Sequence, residues 1–513
     1  MLDYLWIVVA GGISSFISSM GIGANDVGNA FATSVGSGAL TVKSAVAIAS
    51  VFEFSGAILM GSHVTKTIRK GIADYECFED DPELLMYGCF CVLLSVGAWL
   101  FLASYLEMPV STTHSCVGGM IGMTMVTGGS DCVIWYKATD SFPWVGGVSG
   151  IVISWFLSPI FSAIVASFIF YVTRLTVLRG DNSFDNSYKT FPIFVGFTIA
   201  LNTFFIIYKG GKGIGLDDLS AGGSLLIASI AGIVTGTGII PIIPRMKESV
   251  NKKFQIDEVE TNEETLECLN ELNETEQNSK KKNKIQQCIT SIKDNINYDM
   301  DQIKVDEVKE IHDNSEKFEK KTEESFKYLQ IFTAMCDSFS HGANDVANAI
   351  GPYAAIVSIY MNEGDLEKTV EMNEYAYAIL GMGGVGISIG LFVYGYKIIR
   401  AIGVKLSCIT PSRGFSIELG SATIIIIGSR LGIPLSTTHC QVGATMGVAA
   451  LEDVKKCSGI NWKIAGKVFL GWIITLVVVG GSTGLLVAQG IYAPTKINQE
   501  CQYLNLTDSS DSF

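Results

Sequence analysis

Two short motifs each occur twice along the chain, and both carry polar groups in apolar surroundings. Gly23-Ala24-Asn25-Asp26-Val27-Gly28-Asn29-Ala30 returns as Gly342-Ala343-Asn344-Asp345-Val346-Ala347-Asn348-Ala349, with one position of eight changed. Pro109-Val110-Ser111-Thr112-Thr113-His114, followed by Val117-Gly118 and Gly122, returns as Pro434-Leu435-Ser436-Thr437-Thr438-His439, followed by Val442-Gly443 and Gly447. The Asp and the Ser stand 85 residues apart in the first half and 91 in the second. Two unrelated motifs in the same order at nearly the same spacing mark an internal duplication. Duplicated halves with interrupted helices point to a secondary-transport site at the interface between repeats.

The Pro-x-Ser-Thr-Thr-His pair reads as two helix starts. Proline ends the preceding segment, and Ser111 and Ser436 are N-caps. A helix start carries roughly half a positive charge together with unpaired N–H groups. Two of them facing each other, with the hydroxyls of Ser111, Thr112, Thr113, Ser436, Thr437 and Thr438, form a cradle for a tetrahedral oxyanion without Lys or Arg. Hydroxyls also accept hydrogen bonds, so they can recognise a P–OH group that sulfate lacks at neutral pH. That favours phosphate.

The Asn-Asp pair suits a cation. An intramembrane Asp is costly and marks function, and Asp26 with Asn29, like Asp345 with Asn348, shares a helix face. Carboxylate, amide oxygens and the carbonyls of an unwound Gly-Ala turn are hard ligands fit for Na⁺. Glu53 and Glu418 are further carboxylates within apolar runs, open to roles as proton carriers, cation ligands or structural acceptors. Counting back 18 residues from each Ser pairs Glu418 with Leu93, so the two Glu residues are not repeat equivalents. His114 and His439 read as helix-packing groups. Neither Ser111 nor Ser436 lies in a Gly-x-Ser-x-Gly strand elbow and no third member is evident, so Ser beside His is only a weak signal for nucleophilic catalysis.

Apolar helices must hold these groups. The chain has 513 residues, 48% hydrophobic and 17% charged. Positions 245–327 alone contain 15 basic and 21 acidic residues, leaving 50 charged residues for the other 430 positions. Soluble domains average about a quarter, so a soluble enzyme is excluded. A net charge of −14 and a pI near 4.9 exclude nucleic-acid binding. The 12 Cys lack bridge or metal spacing and read as packing residues. Apolar stretches long enough to cross a bilayer run over Tyr4–Met20, Ser44–Ser62, Leu84–Leu106, Phe191–Tyr208, Leu219–Ile243, Tyr375–Tyr396 and Lys463–Gln489. Val145–Leu178 is too long for one span and contains Pro159, which predicts two helices or a bent pair. Ser111–Thr127 and Ser436–Leu451 are short and begin within the membrane.

The expectation is an all-α polytopic membrane protein of two inverted repeats with broken or re-entrant helices and roughly 10–12 transmembrane segments. Residues 1–244 form the first half, 245–327 a charged loop, 328–492 the second half and 493–513 an acidic tail. Basic flanks put the loop in the cytoplasm by the positive-inside rule, with one or two amphipathic helices and the remainder disordered. Asn505-Leu506-Thr507 is a glycosylation sequon if the C-terminus is outside the cytoplasm.

On the twin Gly-Ala-Asn-Asp and Ser-Thr-Thr-His motifs the sequence resembles the inorganic phosphate transporter family of cation-coupled phosphate symporters, across both apolar halves. The resemblance implies phosphate held by Ser111, Thr112, Thr113, Ser436, Thr437 and Thr438. It implies Na⁺ served by Asn25, Asp26, Asn344 and Asp345 with Asn29 and Asn348 in support, and transport roles for Glu53 and Glu418. It also implies an extracellular amino terminus and a homodimer. The expected function is Na⁺-coupled phosphate symport in the plasma membrane by alternating access, with lipid as the surroundings and no cofactor beyond the coupling ion. H⁺ in place of Na⁺ is the nearest alternative and another oxyanion the next; a receptor or a Ser/His membrane enzyme is remote.

Overall fold

A computed structural model describes residues 2–139, 144–208, 219–268, 315–366, 375–403, 405–431, 435–452 and 459–493, together with 311 and 433. Among them are fifteen α-helices and one two-stranded ribbon, in which Lys137–Ala138 pairs antiparallel with Val145–Gly146. The first half supplies α1 (Leu5–Asn25), α2 (Val27–Gly36), α3 (Val42–Lys70), α4 (Pro82–Tyr105), α5 (Thr112–Thr127), α6 (Gly147–Thr173), α7 (Ser183–Ile207), α8 (Ala221–Gly238) and α9 (Ile243–Cys268). The second supplies α10 (Lys320–Met361), α11 (Ala376–Tyr394), α12 (Tyr396–Gly403), α13 (Pro411–Arg430), α14 (Thr437–Ala450) and α15 (Trp462–Tyr492). Seven stretches of the described residues are long and apolar enough to cross a membrane. The helix opening the second half already begins inside the charged segment. Most of that segment, like the Asn505 sequon, Pro434 and the acidic tail, lies outside the described residues.

The halves are interlocked rather than side by side. α1 packs on α11 as α10 packs on α3, and α5 packs on α15 as α14 packs on α6. Glycine sets the register. A Cβ at Gly23 would fall onto the carbonyl oxygen of Ile387, and one at the equivalent Gly342 onto that of Glu53. Backbones meet here because no side chain intervenes. The match makes Ile387 the counterpart of Glu53, so Glu53 and Glu418 each have an apolar counterpart in the other repeat.

The direction of each repeat follows from how its short helices are closed at the base. Cys77 and Cys132 form a disulfide just before α4 and just after α5, and Asp74 donates its N–H to Cys132 O at 2.9 Å. Both ends of α4–α5 therefore lie at one end of the bundle, and the pair is a re-entrant hairpin. In the second repeat Arg413, in the first turn of α13, meets Glu452, just past α14, with Nη2 and Oε1 2.6 Å apart. α6 connects the two levels: Val148 donates to Ile134 O beside the disulfide, while Arg174 past its far end reaches Leu451 O and Glu316. A helix of that length puts the two hairpin bases at opposite ends. The repeats are inverted.

Three expectations need correction. Val145–Leu178 is not divided at Pro159: α6 and a following π-helical turn, Arg174–Leu178, run as one stretch. Proline is tolerated in membrane helices where neighbours compensate for the lost bond, and here Gly443 of α14 packs directly against Pro159. The Gly-Ala turns are not unwound. α10 passes through Gly342-Ala343 unbroken, and Asp26, between α1 and α2, keeps helical angles and donates its N–H to Ile22 O at 2.7 Å. Glycine is there for close packing, and its neighbours' carbonyls stay in helical bonding. Finally, Cys77 and Cys132 are bridged, not packing residues; their 55-residue separation becomes short only when the hairpin folds back. Cys89, Cys91, Cys116 and Cys440 are buried thiols, as read from the sequence.

Candidate functional site

The two short helices start where the sequence puts them. Ser111 Oγ accepts from His114 N at 3.2 Å and Ser436 Oγ from His439 N at 3.3 Å, capping α5 and α14. The asparagines of the other motif hold the chain leading into these caps. Asn25 Oδ1 accepts from Val110 N at 2.9 Å while its Nδ2 donates to Ser104 Oγ and Met108 O; Asn344 Nδ2 donates to Leu435 O. Asn25 thus points into the first hairpin and away from the carboxylates. Asn29 lies on α2, but its side chain is outside the described residues.

The helix starts meet each other by exchange. Thr113 Oγ1 donates to Leu435 O at 3.1 Å, and Thr438 Oγ1 lies 3.2 Å from Val110 O. Between them stand the two aspartates. Thr438 donates to Asp26 at 2.5 Å and Thr437 to Asp345 at 2.6 Å. Thr112 Oγ1 is 2.7 Å from Asp26 Oδ2 and 3.3 Å from Asp345 Oδ1, so its single proton can serve either carboxylate. Asn348 Nδ2 reaches Thr112 Oγ1, Thr113 Oγ1 and, at 2.8 Å, Asp345 Oδ1. None of these motif residues is more than 3% exposed. The site is closed to both ends of the bundle.

His341 was missed from the sequence. Its Nδ1 is 3.0 Å from Glu53 Oε2, and its Nε2 is 3.0 Å from Asp345 Oδ2 and 3.9 Å from Asp26 Oδ1. Glu53 also accepts from Ser338 Oγ at 3.1 Å. The spacing signal was available, because His341 stands four residues before Asp345 and shares its helix face. Ligand atoms of Asp26, His341 and Asp345 lie within 4.8 Å of one another, close enough to hold a cation. Glu418 is not brought to this centre. It accepts from Thr33, Ser34, Thr333 and Gln330, and Thr333 is 12 residues, about 18 Å of helix, from Asp345.

His114 and His439 pack as expected. Their rings are 4.5 Å apart, and each packs at a tilt on a tryptophan, His114 on Trp155 at 3.7 Å and His439 on Trp472 at 3.5 Å.

The electrostatics are one-sided. Asp26, Asp345 and Glu53 surround a single imidazole in a region without bulk water. An oxyanion brought to the helix starts would meet these carboxylates, and at low dielectric that repulsion exceeds what two helix dipoles supply.

Comparison with known proteins gives the same reading from another direction. Residues 22–483 match the phosphate transporter family. The chain is 30% identical to a phosphate-repressible phosphate permease of Neurospora crassa, over 96% of this chain and 98% of that protein. It is 27% identical to sodium-dependent phosphate transporter 1 of Mus musculus, over 95% of each. A solved structure of a sodium-dependent phosphate transporter superposes with a TM-score of 0.71 at 30% identity, covering 94% of this chain and 98% of that one. Family members are transporters rather than enzymes, consistent with a buried centre of hydroxyls and carboxylates carried by inverted membrane hairpins. Motifs, fold and relatives agree that this chain belongs to the phosphate transporter family.

Proposed function

We propose that the protein is a secondary active symporter that carries inorganic phosphate with Na⁺ by alternating access at the interface between its repeats. The observation carrying this reading is that the hydroxyls at the two helix starts are the donors now bonded to Asp26 and Asp345. Na⁺ on the carboxylates competes for the same oxygen lone pairs. It releases Thr112, Thr437 and Thr438 to donate to phosphate, and it supplies the missing positive charge. Cations therefore bind first and phosphate second. Ser111 and Ser436 keep the helix starts formed, while Asn25, Asn344 and Asn348 hold hairpins and threonines in place. The inverted hairpins give two equivalent ways to expose one site, each opening towards one side.

Orientation follows from chemistry at the two ends. A disulfide suits an oxidising exterior, and basic residues flanking 245–327 suit the cytoplasm. This supports an external Cys77–Cys132 end, a cytoplasmic central loop and a plasma-membrane location.

Proteoliposome uptake of ³²P-phosphate tests the reading. An inward Na⁺ gradient at fixed pH should drive accumulation above equilibrium; equal uptake with choline in place of Na⁺ overturns Na⁺ coupling. His341 between Glu53 and Asp345 favours one second reading, H⁺ coupling, because an imidazole between two carboxylates can relay a proton. Accumulation driven by a pH gradient without Na⁺ would select it.

A further inference from the structure

α10 presents an unbroken polar stripe at helical spacing: Gln330, Thr333, Asp337, His341, Asp345 and Asn348, none more than 2% exposed. The ends of the stripe are engaged. Gln330 and Thr333 donate to Glu418, and His341, Asp345 and Asn348 belong to the centre. Asp337 lies between them, one turn or about 6 Å along the axis from each neighbour. Its Oδ1 is fully buried without a hydrogen-bond partner among the described residues. Its charge lies within electrostatic reach of Glu418, Glu53 and His341.

Nothing structural accounts for a carboxylate there. The glycine register makes Ser18 its counterpart in the other repeat, and that hydroxyl donates to the backbone oxygen of Leu93 at 2.6 Å. Leu93 is in turn the counterpart of Glu418. One repeat thus has a satisfied hydroxyl beside a leucine where the other has an unsatisfied acid near a second acid. A buried carboxylate oxygen lacking a partner is destabilising, and a neutral polar group would fill the place at lower cost. α13 and α14, both in contact with α10, also carry buried polar atoms without partners among the described residues, Ser421 Oγ and both amide atoms of Gln441.

We infer that Asp337 is a further cation-binding residue, an intermediate station for the coupling Na⁺ between Glu418 and the Asp26–His341–Asp345 centre. The inference rests on the cation coupling proposed above, and the test separates the two.

Purified wild type, Asp337→Asn, Asp337→Ser and Asp337→Glu are compared in two assays. The first is Na⁺-dependent ³²P-phosphate uptake in proteoliposomes, and the second is the Na⁺-induced rise in Tm in detergent with choline as the reference. Loss of one charged ligand should raise the half-saturating Na⁺ concentration of Asp337→Asn and Asp337→Ser about three- to tenfold. The KM for phosphate at saturating Na⁺ should stay within about twofold, because the phosphate-facing groups are untouched. In choline both neutral variants should melt no lower than wild type, with a smaller Tm rise on adding Na⁺, and Asp337→Glu should keep most of the wild-type response. The melting assay decides even for a variant without uptake. A neutral variant with the wild-type Na⁺ curve and the wild-type Na⁺-induced Tm rise overturns the assignment while leaving Na⁺ coupling intact. A wild type indifferent to Na⁺ in both assays overturns both.

Discussion

The two re-entrant hairpins are built for one task and closed by different chemistry. At their tips they match, with a serine cap, a threonine hydroxyl within 3.2 Å of a carbonyl of the opposite hairpin, and a histidine ring packed at a tilt on a tryptophan. At their bases they differ. α4–α5 is stapled by Cys77–Cys132, whereas α13–α14 is held by buried Arg413 on Glu452. Arg413 also donates to Glu316 O, Arg179 grips the Glu316 carboxylate through two bonds of 2.8 and 2.9 Å, and Phe170 and Phe318 sit against the guanidinium of Arg413. In the proposed reading the tips share one ligand site, which accounts for their likeness. In the proposed orientation the bases face different compartments, and each lock suits its own: a covalent bond where thiols oxidise, an ion-pair network where they stay reduced. The ionic base also ties the end of the charged central segment to helices from both repeats.

The largest effect should come from breaking the likeness at the tips. Asp26→Asn and Asp345→Asn should each bring ³²P-phosphate uptake to background without loss of folded protein, and Thr113→Ala should do the same by removing the donor to Leu435. Normal uptake in both Asp26→Asn and Thr113→Ala would refute equivalent, essential tips.

The bases come next. Arg413→Ala leaves Glu452 buried without its partner and should cost about 3–5 kcal/mol. Cys77→Ser removes a staple worth about 2–4 kcal/mol. Thermal melts in detergent should therefore rank Arg413→Ala at or below Cys77→Ser, with reducing agent lowering the wild type but not Cys77→Ser. A reductant-insensitive wild type would remove the covalent half of the comparison.

The smallest effect concerns pH. The hydrogen bond from Arg179 holds the Glu316 carboxyl below the usual carboxylate value of 4.5. A lowered folded-state pKa stabilises above 4.5 and is lost as pH falls through the folded value. Arg179→Ala should therefore narrow the Tm difference between pH 7 and pH 4. Because the pair is partly solvated, the change should stay within about 1 kcal/mol. A full wild-type pH response in that variant would show that Glu316 is held mainly by Arg174 and Arg413.

Much of this was legible in the residues. Apolar length located both ends of α4, α11 and α15 to within a turn, but it stopped two turns short on α3 and α7 and marked neither α10 nor α13; the Ser caps fixed where α5 and α14 begin, and the repeated motifs named the threonines and aspartates that meet. These are local properties, written in hydrophobic run length, capping chemistry and repetition. What the chain alone could not give was pairing across distance. His341 is joined to Glu53, 288 residues away, and to Asp26 of the other half by tertiary packing. Asn25, read as a cation group, turns instead to the loop before α5. Cys77–Cys132 and Arg413–Glu452 are contacts between ends that hairpin folding brings together. The swapped packing of the repeats decided that Thr438 of one half bonds Asp26 of the other, because buried polar groups take whichever partner the close-packed helices leave within reach.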